Sequence, residues 1–516
     1  MKEYKQESFS HRYIIKILSS LLIVLLNVIV QLLLPRVFSI EEYGYYSYNL
    51  NVFTSVVTIF NLSASDALVS KFSKNNEEKG YVVFYLRFFA LISFVLNIGV
   101  LLFFQTSLVY NSFAGQTLCI MLLGLNAAIV KRLLTDIVAV FDAMAFSRLP
   151  AFWQIVQKIL ITTGVVGAYF IGILNLFVFY ILQITTILFV AVLLVVVFFY
   201  LHKAQFNSPV KKYLFKYIDE FYVFCRPLIF ATVFTQIIII IKNWALMCWA
   251  GITSSALFGA ALQLNIVISY VFSPYAELMK REFAVMHDNA DMLRYRIQLS
   301  LKIMAWIISF ICIFIAVYAS DVLTVLFGDK YSDAVLITQL IMLYTIYQAE
   351  GQILGSFMLA VEQTKAYSTI SMIGNIFSLI LLYFFQYPNF IWAKGLGANG
   401  MGWSYVIGVI FSFTSLLCFI TKKVNMNFLK LYAIPIISMI GCFIIAFIPY
   451  VLLGRCISGR RMIFVVLRIL CGGFLYCGII MLLIWRFPQI LGINKVVLTQ
   501  KLSFWRNKKN GMDKLH

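Results

Sequence analysis

The candidate site residues are charged side chains inside stretches that are mostly apolar, and the five of most interest are Lys131, Arg132, Lys158, Lys242 and Glu350. A charged group inside a hydrocarbon layer is costly, so such residues usually face a protein interior, a partner or a water-filled cavity. Four of the five are basic, and Lys158 lies near the middle of its apolar stretch. A cavity lined by cations and hydrogen-bond donors would replace the hydration of an anionic head group. The pattern therefore predicts a binding site, and no catalytic residue is predicted.

Four of the five residues also have a structural explanation. Asp136 lies four residues after Arg132, so the two could form an ion pair on one helix face and partly neutralise each other. Lys131 and Arg132 could mark the cytoplasmic end of their helix. Lys242 could extend its ammonium group to the outer interface. Glu350 could pair with a lysine inside the helix bundle.

Membrane-spanning helices are the elements that must position these residues. The chain has 516 residues, of which 62% are hydrophobic and 12% are charged, against roughly 25% charged in soluble domains. About 20 apolar residues cross a bilayer core. About fourteen such runs occur, at 13–34, 45–68, 81–104, 117–141, 149–172, 174–200, 223–242, 254–274, 300–320, 334–359, 366–386, 400–420, 432–453 and 462–485. We therefore expect an all-α polytopic membrane protein.

The distribution of basic residues predicts the orientation. The net charge is +20, and Lys and Arg are retained on the cytoplasmic side of membrane proteins. An even number of spans with both termini in the cytoplasm places most basic residues inside. The exception is a cluster at Arg455, Arg460 and Arg461. The charge is thus explained by the lipid bilayer, and nucleic-acid binding is not expected.

Several classes of protein and site are disfavoured by the sequence. No GxxxxGK[ST] phosphate-binding loop occurs, which argues against an ATP-driven transporter in a single chain. The nine cysteines form no CxxC pair and the four histidines are scattered, so neither a disulfide framework, a metal site nor a cofactor is predicted.

A weak internal repeat is visible. Residues 40–47 (IEEYGYYS) and 252–259 (ITSSALFG) each begin with Ile, continue with mostly polar residues and then carry small and aromatic residues. Both segments precede and open a predicted helix that enters from the outer side. The repeat is therefore parallel and spans six helices, and transporters often place their substrate site between two such repeats.

Three motifs carry a family resemblance. Residues 42–47 (EYGYYS) resemble the E-[FY]-G-x-[FY]-S element of the Wzx-type polysaccharide flippases. Residues 66–73 (DALVSKFS) resemble the segment that follows in that family, and residues 326–334 (LFGDKYSDA) resemble its LFG-x-x-Y-x-x-A loop. These flippases are polysaccharide biosynthesis proteins of the MOP superfamily, related to MurJ-like lipid II flippases and MATE exporters.

The resemblance implies an architecture. Two six-helix lobes would form a V around a central cavity, with two further helices at the C-terminal end. On this basis we expect an N-lobe at 1–200, a cytoplasmic linker at 201–222, a C-lobe at 223–421, two helices at 422–486 and a basic cytoplasmic tail at 487–516.

The resemblance also implies a function. The family exports undecaprenyl-diphosphate-linked repeat units of O-antigen, capsule or exopolysaccharide across the bacterial cytoplasmic membrane, and a polymerase and chain-length machinery would be partners. Where the family often has an acidic residue late in the seventh helix, this chain has Lys242 and Asn243, which puts cation coupling at that position in doubt. A multidrug or metabolite exporter, a membrane-embedded polymerase or ligase, and a scaffold are the alternatives.

A polar pair in the first apolar run could contact a saccharide. Asn27 and Gln31 lie four residues apart on one helix face. Hydrogen bonds between helices explain such residues often, and a stripe that contacts sugar is the alternative.

Overall fold

The computed structural model describes residues 9–74, 80–106, 111–113, 115–144, 146, 148–201, 214–286, 290–388, 396–456 and 462–486. In these ranges the chain forms α-helices, one 3-10 helix and no strand, which confirms the predicted all-α fold. The helices are α1 (Phe9–Val37), α2 (Ile40–Asn61), α3 (Ala64–Lys74), α4 (Gly80–Phe103), α5 (Leu118–Ala143), α6 (Arg148–Ile171), α7 (Leu176–Leu201), α8 (Leu214–Val285), α9 (Ala290–Val317), α10 (Ala319–Phe327), α11 (Val335–Ala360), α12 (Thr364–Gln386), α13 (Gly397–Val424), α14 (Phe428–Cys456) and α15 (Met462–Arg486). The 3-10 helix is Asp329–Ala334.

Ten of the described helices are long and apolar enough to cross a membrane, or eleven spans if α2 and α3 count as one bent span. Large apolar side chains lie on the outside of the helices, such as Phe170, which is 81% exposed, and Phe474, which is 85% exposed. Lipid is the solvent in which such a surface is stable. The chain is therefore a multi-pass membrane protein.

The segment that carries the EYGYYS motif begins with a capping box. The Ser39 hydroxyl accepts a hydrogen bond from the Glu42 backbone N–H (3.1 Å), and the Glu42 carboxylate accepts one from the Ser39 N–H (3.0 Å). This arrangement satisfies two N–H groups that a helix start leaves unpaired. Glu41 and Glu42 also lie in the first turn of α2, where the helix dipole favours negative charge. Glu42, the acidic residue of the motif, and Glu41 before it are thereby explained by helix initiation.

The second predicted run, 45–68, is broken in the structure. Helix α2 ends at Asn61, Leu62 and Ser63 adopt positive φ values of 52° and 59°, and α3 leaves at an angle of 55° to α2. Residues with a Cβ rarely adopt this left-handed conformation. An average of hydropathy over the whole run conceals the break, although Asn61, Ser63 and Ser65 around it are polar.

Two glycines create turns that a residue with a Cβ would strain. Gly172, with φ of 81°, makes the tight turn between α6 and α7 that the spacing of the fifth and sixth runs predicts. Gly251, with φ of 83° and ψ of 170°, interrupts α8. The seventh and eighth predicted runs are therefore the two parts of α8, and the first part extends beyond 242 to Gly251.

The described chain divides into two compact units. Unit 1 comprises 1–260 and 382–398, and unit 2 comprises 261–381 and 399–516. In unit 1, α5 packs against α2 and α7, and α1 packs against α6; in unit 2, α9 packs against α11 and α14, and α15 packs against α10 and α14. The predicted lobe boundaries stay a prediction, and the predicted tail at 487–516 and residues 202–213 of the predicted linker lie outside the described residues.

Candidate functional site

Lys131 and Lys158 form a pair of cations in unit 1. Lys131 lies on α5 and is exposed, whereas Lys158 lies on α6 and is half-buried. The positive charge of Lys131 acts on the ammonium group of Lys158. Neither forms an ion pair with any residue that the structure describes. Two like charges in an apolar bundle repel each other, and an anion bound beside them would relieve that repulsion.

Lys131 lines a narrow cleft between α2, α5 and α7. The cleft is lined by Tyr46, Leu50, Gly124, Ala127, Ala128, Lys131, Tyr180 and Gln183. The small residues of α5 leave the space, which holds at most about one water molecule. The side-chain oxygen of Gln183 is buried and has no hydrogen-bond partner among the described residues. The cleft therefore combines a cation, two phenols and an amide, which are groups that bind oxygen-rich ligands.

The side chain of Arg132 contacts residues outside the cleft. Its Nε donates to the Asp136 carboxylate at 3.1 Å, and its Nη2 donates to the Ser65 hydroxyl. The Tyr85 hydroxyl donates to the same carboxylate and accepts a hydrogen bond from the Asn61 amide at 2.8 Å. The Ser65 backbone N–H donates to the Asn61 side-chain oxygen at 3.2 Å, which closes a ring of five residues.

This polar ring fastens the break between α2 and α3 to α4 and α5. The ion pair of Arg132 with Asp136 that their spacing predicts is confirmed. The guanidinium of Arg132 is occupied by protein acceptors in this conformation, because Asp136 and Ser65 both bind it. A role for Arg132 in binding substrate stays a prediction.

Three other predicted site residues lie elsewhere in unit 1. Lys242 is buried on α8, and its neighbour Asn243 accepts a hydrogen bond from the Asn51 amide at 3.2 Å. Asn27 and Gln31 are half-buried on α1, and neither forms a hydrogen bond with Lys131 or Lys158. The structure thus brings Lys131 together with Lys158 and Arg132 together with Asp136.

Glu350 lies in unit 2, on α11, and is only 1% exposed. Neither of its carboxyl oxygens has a hydrogen-bond partner among the described residues. No lysine in the described part of the chain forms an ion pair with Glu350, so the predicted neutralising partner is not found there.

An ion pair between α10 and α15 of unit 2 was not anticipated from the sequence. Arg468 of α15 donates to the Asp321 carboxylate of α10 at 2.6 Å. Burial raises the pKa of the Asp321 carboxyl, and the nearby guanidinium opposes that rise. The contact joins two helices that are far apart in the sequence, so no local spacing could predict it.

The residues that complete the cleft around Lys131 were also missed. Tyr46 belongs to the EYGYYS motif, but the motif does not show which way its side chain points. Gln183 is a polar residue in the very apolar helix α7, and this contrast is the signal that could have singled it out.

Several solved structures share the arrangement of the helices. The lipid II flippase MurJ in an inward closed conformation matches with a TM-score of 0.67 and 16% identity, over 92% of this chain and 98% of that chain. An inward-facing multidrug resistance MATE family transporter of the MOP superfamily matches with a TM-score of 0.61 and 11% identity, over 78% of this chain and 95% of that chain. This chain has the MOP-superfamily fold.

A third solved structure with this fold is described by the polarity of its binding pocket. A MOP superfamily transporter from Pyrococcus furiosus, described by a binding pocket of reverse polarity that suggests a different function, matches with a TM-score of 0.50 and 13% identity, over 82% of this chain and 96% of that chain. No family model matches the sequence, and the comparison with curated proteins found no match. The resemblance to Wzx-type flippases in particular stays a prediction, because identities this low show the fold alone.

Proposed function

We propose that the protein is a flippase that moves undecaprenyl-diphosphate-linked oligosaccharide repeat units from the cytoplasmic to the outer leaflet of a bacterial cytoplasmic membrane by alternating access. The observation that carries the proposal is the pair Lys131 and Lys158, two interacting cations without an acidic partner among the described residues. Such a pair inside an apolar bundle is stabilised by an anion that enters from outside the protein.

The diphosphate of the proposed substrate fits these two charges. Lysine binds phosphate as a compact positive charge with three donors, and two adjacent phosphate groups present enough oxygens for both lysines. The cleft beside Lys131 adds Tyr46, Tyr180 and the unpaired oxygen of Gln183. These groups suit the hydroxyls of a sugar next to the diphosphate.

The same observation separates this function from that of a drug exporter. A cavity for cationic drugs requires carboxylates or aromatic faces that are free of cations. No Asp or Glu lines the described cleft, and Lys131 lies in it. The MurJ-like fold over most of the chain is consistent with a flippase, and the substrate is inferred from the charges.

The decisive experiment measures surface polysaccharide in a deletion strain of the source bacterium. The strain is complemented with wild type, Lys131→Gln, Lys158→Gln or the double variant, and membrane expression is verified by immunoblot. We expect the deletion to abolish the polymer and to accumulate lipid-linked repeat units, and we expect wild type alone to restore the polymer fully. Lys423→Gln, at an exposed lysine near the end of α13, is the matched control and should behave as wild type.

Purified protein in proteoliposomes then tests the substrate directly. Wild type should move a lipid-linked oligosaccharide between leaflets, and each Gln variant should do so about 10-fold or more slowly, because a hydrogen bond to a charged group contributes about 1.5–3 kcal/mol. Normal surface polymer in the deletion strain, or export of a cationic dye in place of the lipid, would refute the proposal.

A further inference from the structure

Four aromatic side chains form a connected cluster at one end of unit 1, which we call the aromatic cluster. Trp249 lies at its centre, and its ring makes edge-to-face contacts with Trp244 (centroid distance 6.0 Å), Tyr383 (6.0 Å) and Tyr387 (5.5 Å). The rings of Tyr383 and Tyr387 stack on each other at 4.9 Å. Trp244 and Tyr383 are exposed, whereas Trp249 and Tyr387 are half-buried. The cluster therefore offers aromatic surface that other aromatic rings hold in place.

Two helix ends bring these residues together. The first part of α8 stops at Gly251, just after Trp249. Helix α12 ends at Gln386, and the Tyr387 N–H donates to the Tyr383 carbonyl at 3.0 Å, which continues the last turn. With both termini in the cytoplasm, as the charge distribution predicts, both helix ends lie on the outer side of the membrane. The aromatic cluster then lies on the side to which an exported molecule is delivered.

The aromatic cluster has two features that an interfacial belt of tryptophan and tyrosine does not require. In such a belt each ring lies at the level of the lipid head groups and needs no fixed protein partner. Here the Trp244 indole N–H donates to the Ser112 hydroxyl at 3.1 Å, so the protein orients this ring. The side chain of Gln386 is only 5% exposed, and its amide donates to the Gly397 carbonyl at 3.0 Å. Its side-chain oxygen has no hydrogen-bond partner among the described residues.

The unpaired oxygen and the rings together fit a sugar. By helical spacing, Gln386 shares a face of α12 with Tyr383 and Tyr387, so a free acceptor lies beside the rings. The C–H face of a pyranose is apolar and slightly positive and packs on the negative face of an aromatic ring, while hydroxyls at its edge donate hydrogen bonds. Indole, phenol and amide groups are neutral at physiological pH. They therefore suit a neutral ligand with hydroxyls better than a charged lipid head group.

We propose that the aromatic cluster is a saccharide-binding site on the outer side of unit 1. A pyranose packs its apolar face on the exposed rings of Trp244 and Tyr383, and a hydroxyl at its edge donates to the Gln386 oxygen. The site receives the sugar of the lipid-linked substrate after the diphosphate has left Lys131 and Lys158. Binding of a saccharide rests on the aromatic cluster alone, and its place in transport rests on the proposed flippase function.

Tryptophan fluorescence of the purified full chain in lipid nanodiscs tests the site. The probe is the oligosaccharide released by hydrolysis from the surface polymer of the source bacterium. We expect a saturable change in wild-type fluorescence. Tyr383→Leu keeps every tryptophan and removes one exposed ring, so it should bind about 3- to 10-fold more weakly, as expected for the loss of one aromatic contact. Tyr222→Leu, at a tyrosine of α8 that is 58% exposed, is the matched control and should titrate as wild type.

Two results would overturn the site: a wild-type fluorescence that does not change with the saccharide, or the same midpoint in Tyr383→Leu as in wild type. If Tyr383→Leu does not fold, Trp244→Phe keeps an aromatic ring and should lose a large part of the fluorescence change, and an undiminished change in this variant would also reject the site. Transport in proteoliposomes separates the two proposals. Saccharide binding without lipid transport would keep the site and reject the flippase function, and transport without saccharide binding would do the reverse.

Discussion

Arg132 shows how a charge is accommodated in an apolar bundle. Its side chain is 27% exposed, whereas that of Asp136 is 4% exposed. Removal of one partner from a buried pair is strongly destabilising, because the other charge is left without compensation. The Tyr85 hydroxyl is a neutral participant, and its removal deletes hydrogen bonds without leaving a charge.

This difference predicts a graded loss of stability. Asp136→Asn should lower the free energy of unfolding by about 3–5 kcal/mol, and Tyr85→Phe should lower it by about 1–3 kcal/mol. Thermal unfolding of the purified protein in detergent, followed by circular dichroism, measures both. Tyr222→Phe, at a tyrosine that is 58% exposed, should unfold at the wild-type temperature. Equal effects of the two ring variants would show that the charge of Arg132 is compensated by another group.

Some contacts between residues could be predicted from the sequence, and others could not. The pair of Arg132 with Asp136 follows from helical spacing alone, and the structure confirms it. The closeness of Lys131 and Lys158, and the cleft that Tyr46 and Gln183 share with Lys131, depend on how separate helices pack. Hydropathy and spacing carry no information about that packing.

At the scale of elements, the two repeated segments contact each other. A Cβ atom at Gly44 would lie 2.6 Å from the Ile252 carbonyl oxygen and 2.8 Å from the Ile252 side chain. A Cβ at Gly259 would collide with the Ser47 side chain. Small residues therefore allow the start of α2 and the part of α8 after Gly251 to approach closely, as at many helix crossings in membranes.

Gly44→Ala should accordingly weaken this crossing. The new methyl group meets backbone that cannot move aside, so we expect a loss of about 1–3 kcal/mol, measured as a lower unfolding temperature. Gly167→Ala in α6, where nothing lies within 4 Å of a Cβ, is the control. It should be neutral or stabilising by up to about 1 kcal/mol, because alanine is the better helix former. A similar loss in both variants would contradict the close crossing.

The elements themselves were predicted more completely than their interruptions. Each apolar run coincides with described helices, although 45–68 and 300–320 each extend over two of them. Runs of about 20 apolar residues have no other stable form in lipid. The bend at Leu62 and Ser63 was missed, and so was the short helix α10, which ends inside the LFGDKYSDA segment. Both depend on hydrogen bonds and turn geometry that an average over hydropathy conceals.

At the scale of the whole molecule, the distribution of charge predicts an orientation. If both termini are cytoplasmic, the end of α14 at Cys456 faces outward and the end of α13 at Lys423 faces inward. In a cysteine-free background, a single Cys456 should react with a membrane-impermeant maleimide in intact cells. A single Lys423→Cys should react only after the membrane is permeabilised. The reverse labelling pattern would invert the topology.

The two compact units are interleaved along the chain, because unit 1 takes up 1–260 and then 382–398. The ribosome therefore makes 261–381, which belong to unit 2, before the last piece of unit 1 exists. Chains are synthesised at about 5–20 residues per second, and domains usually fold in order from the N-terminus. During synthesis unit 1 therefore lacks residues 382–398 for several seconds, until Ala398 has been added. Nascent chains arrested before 382 should thus be more sensitive to membrane proteases and quality control than chains arrested after 398.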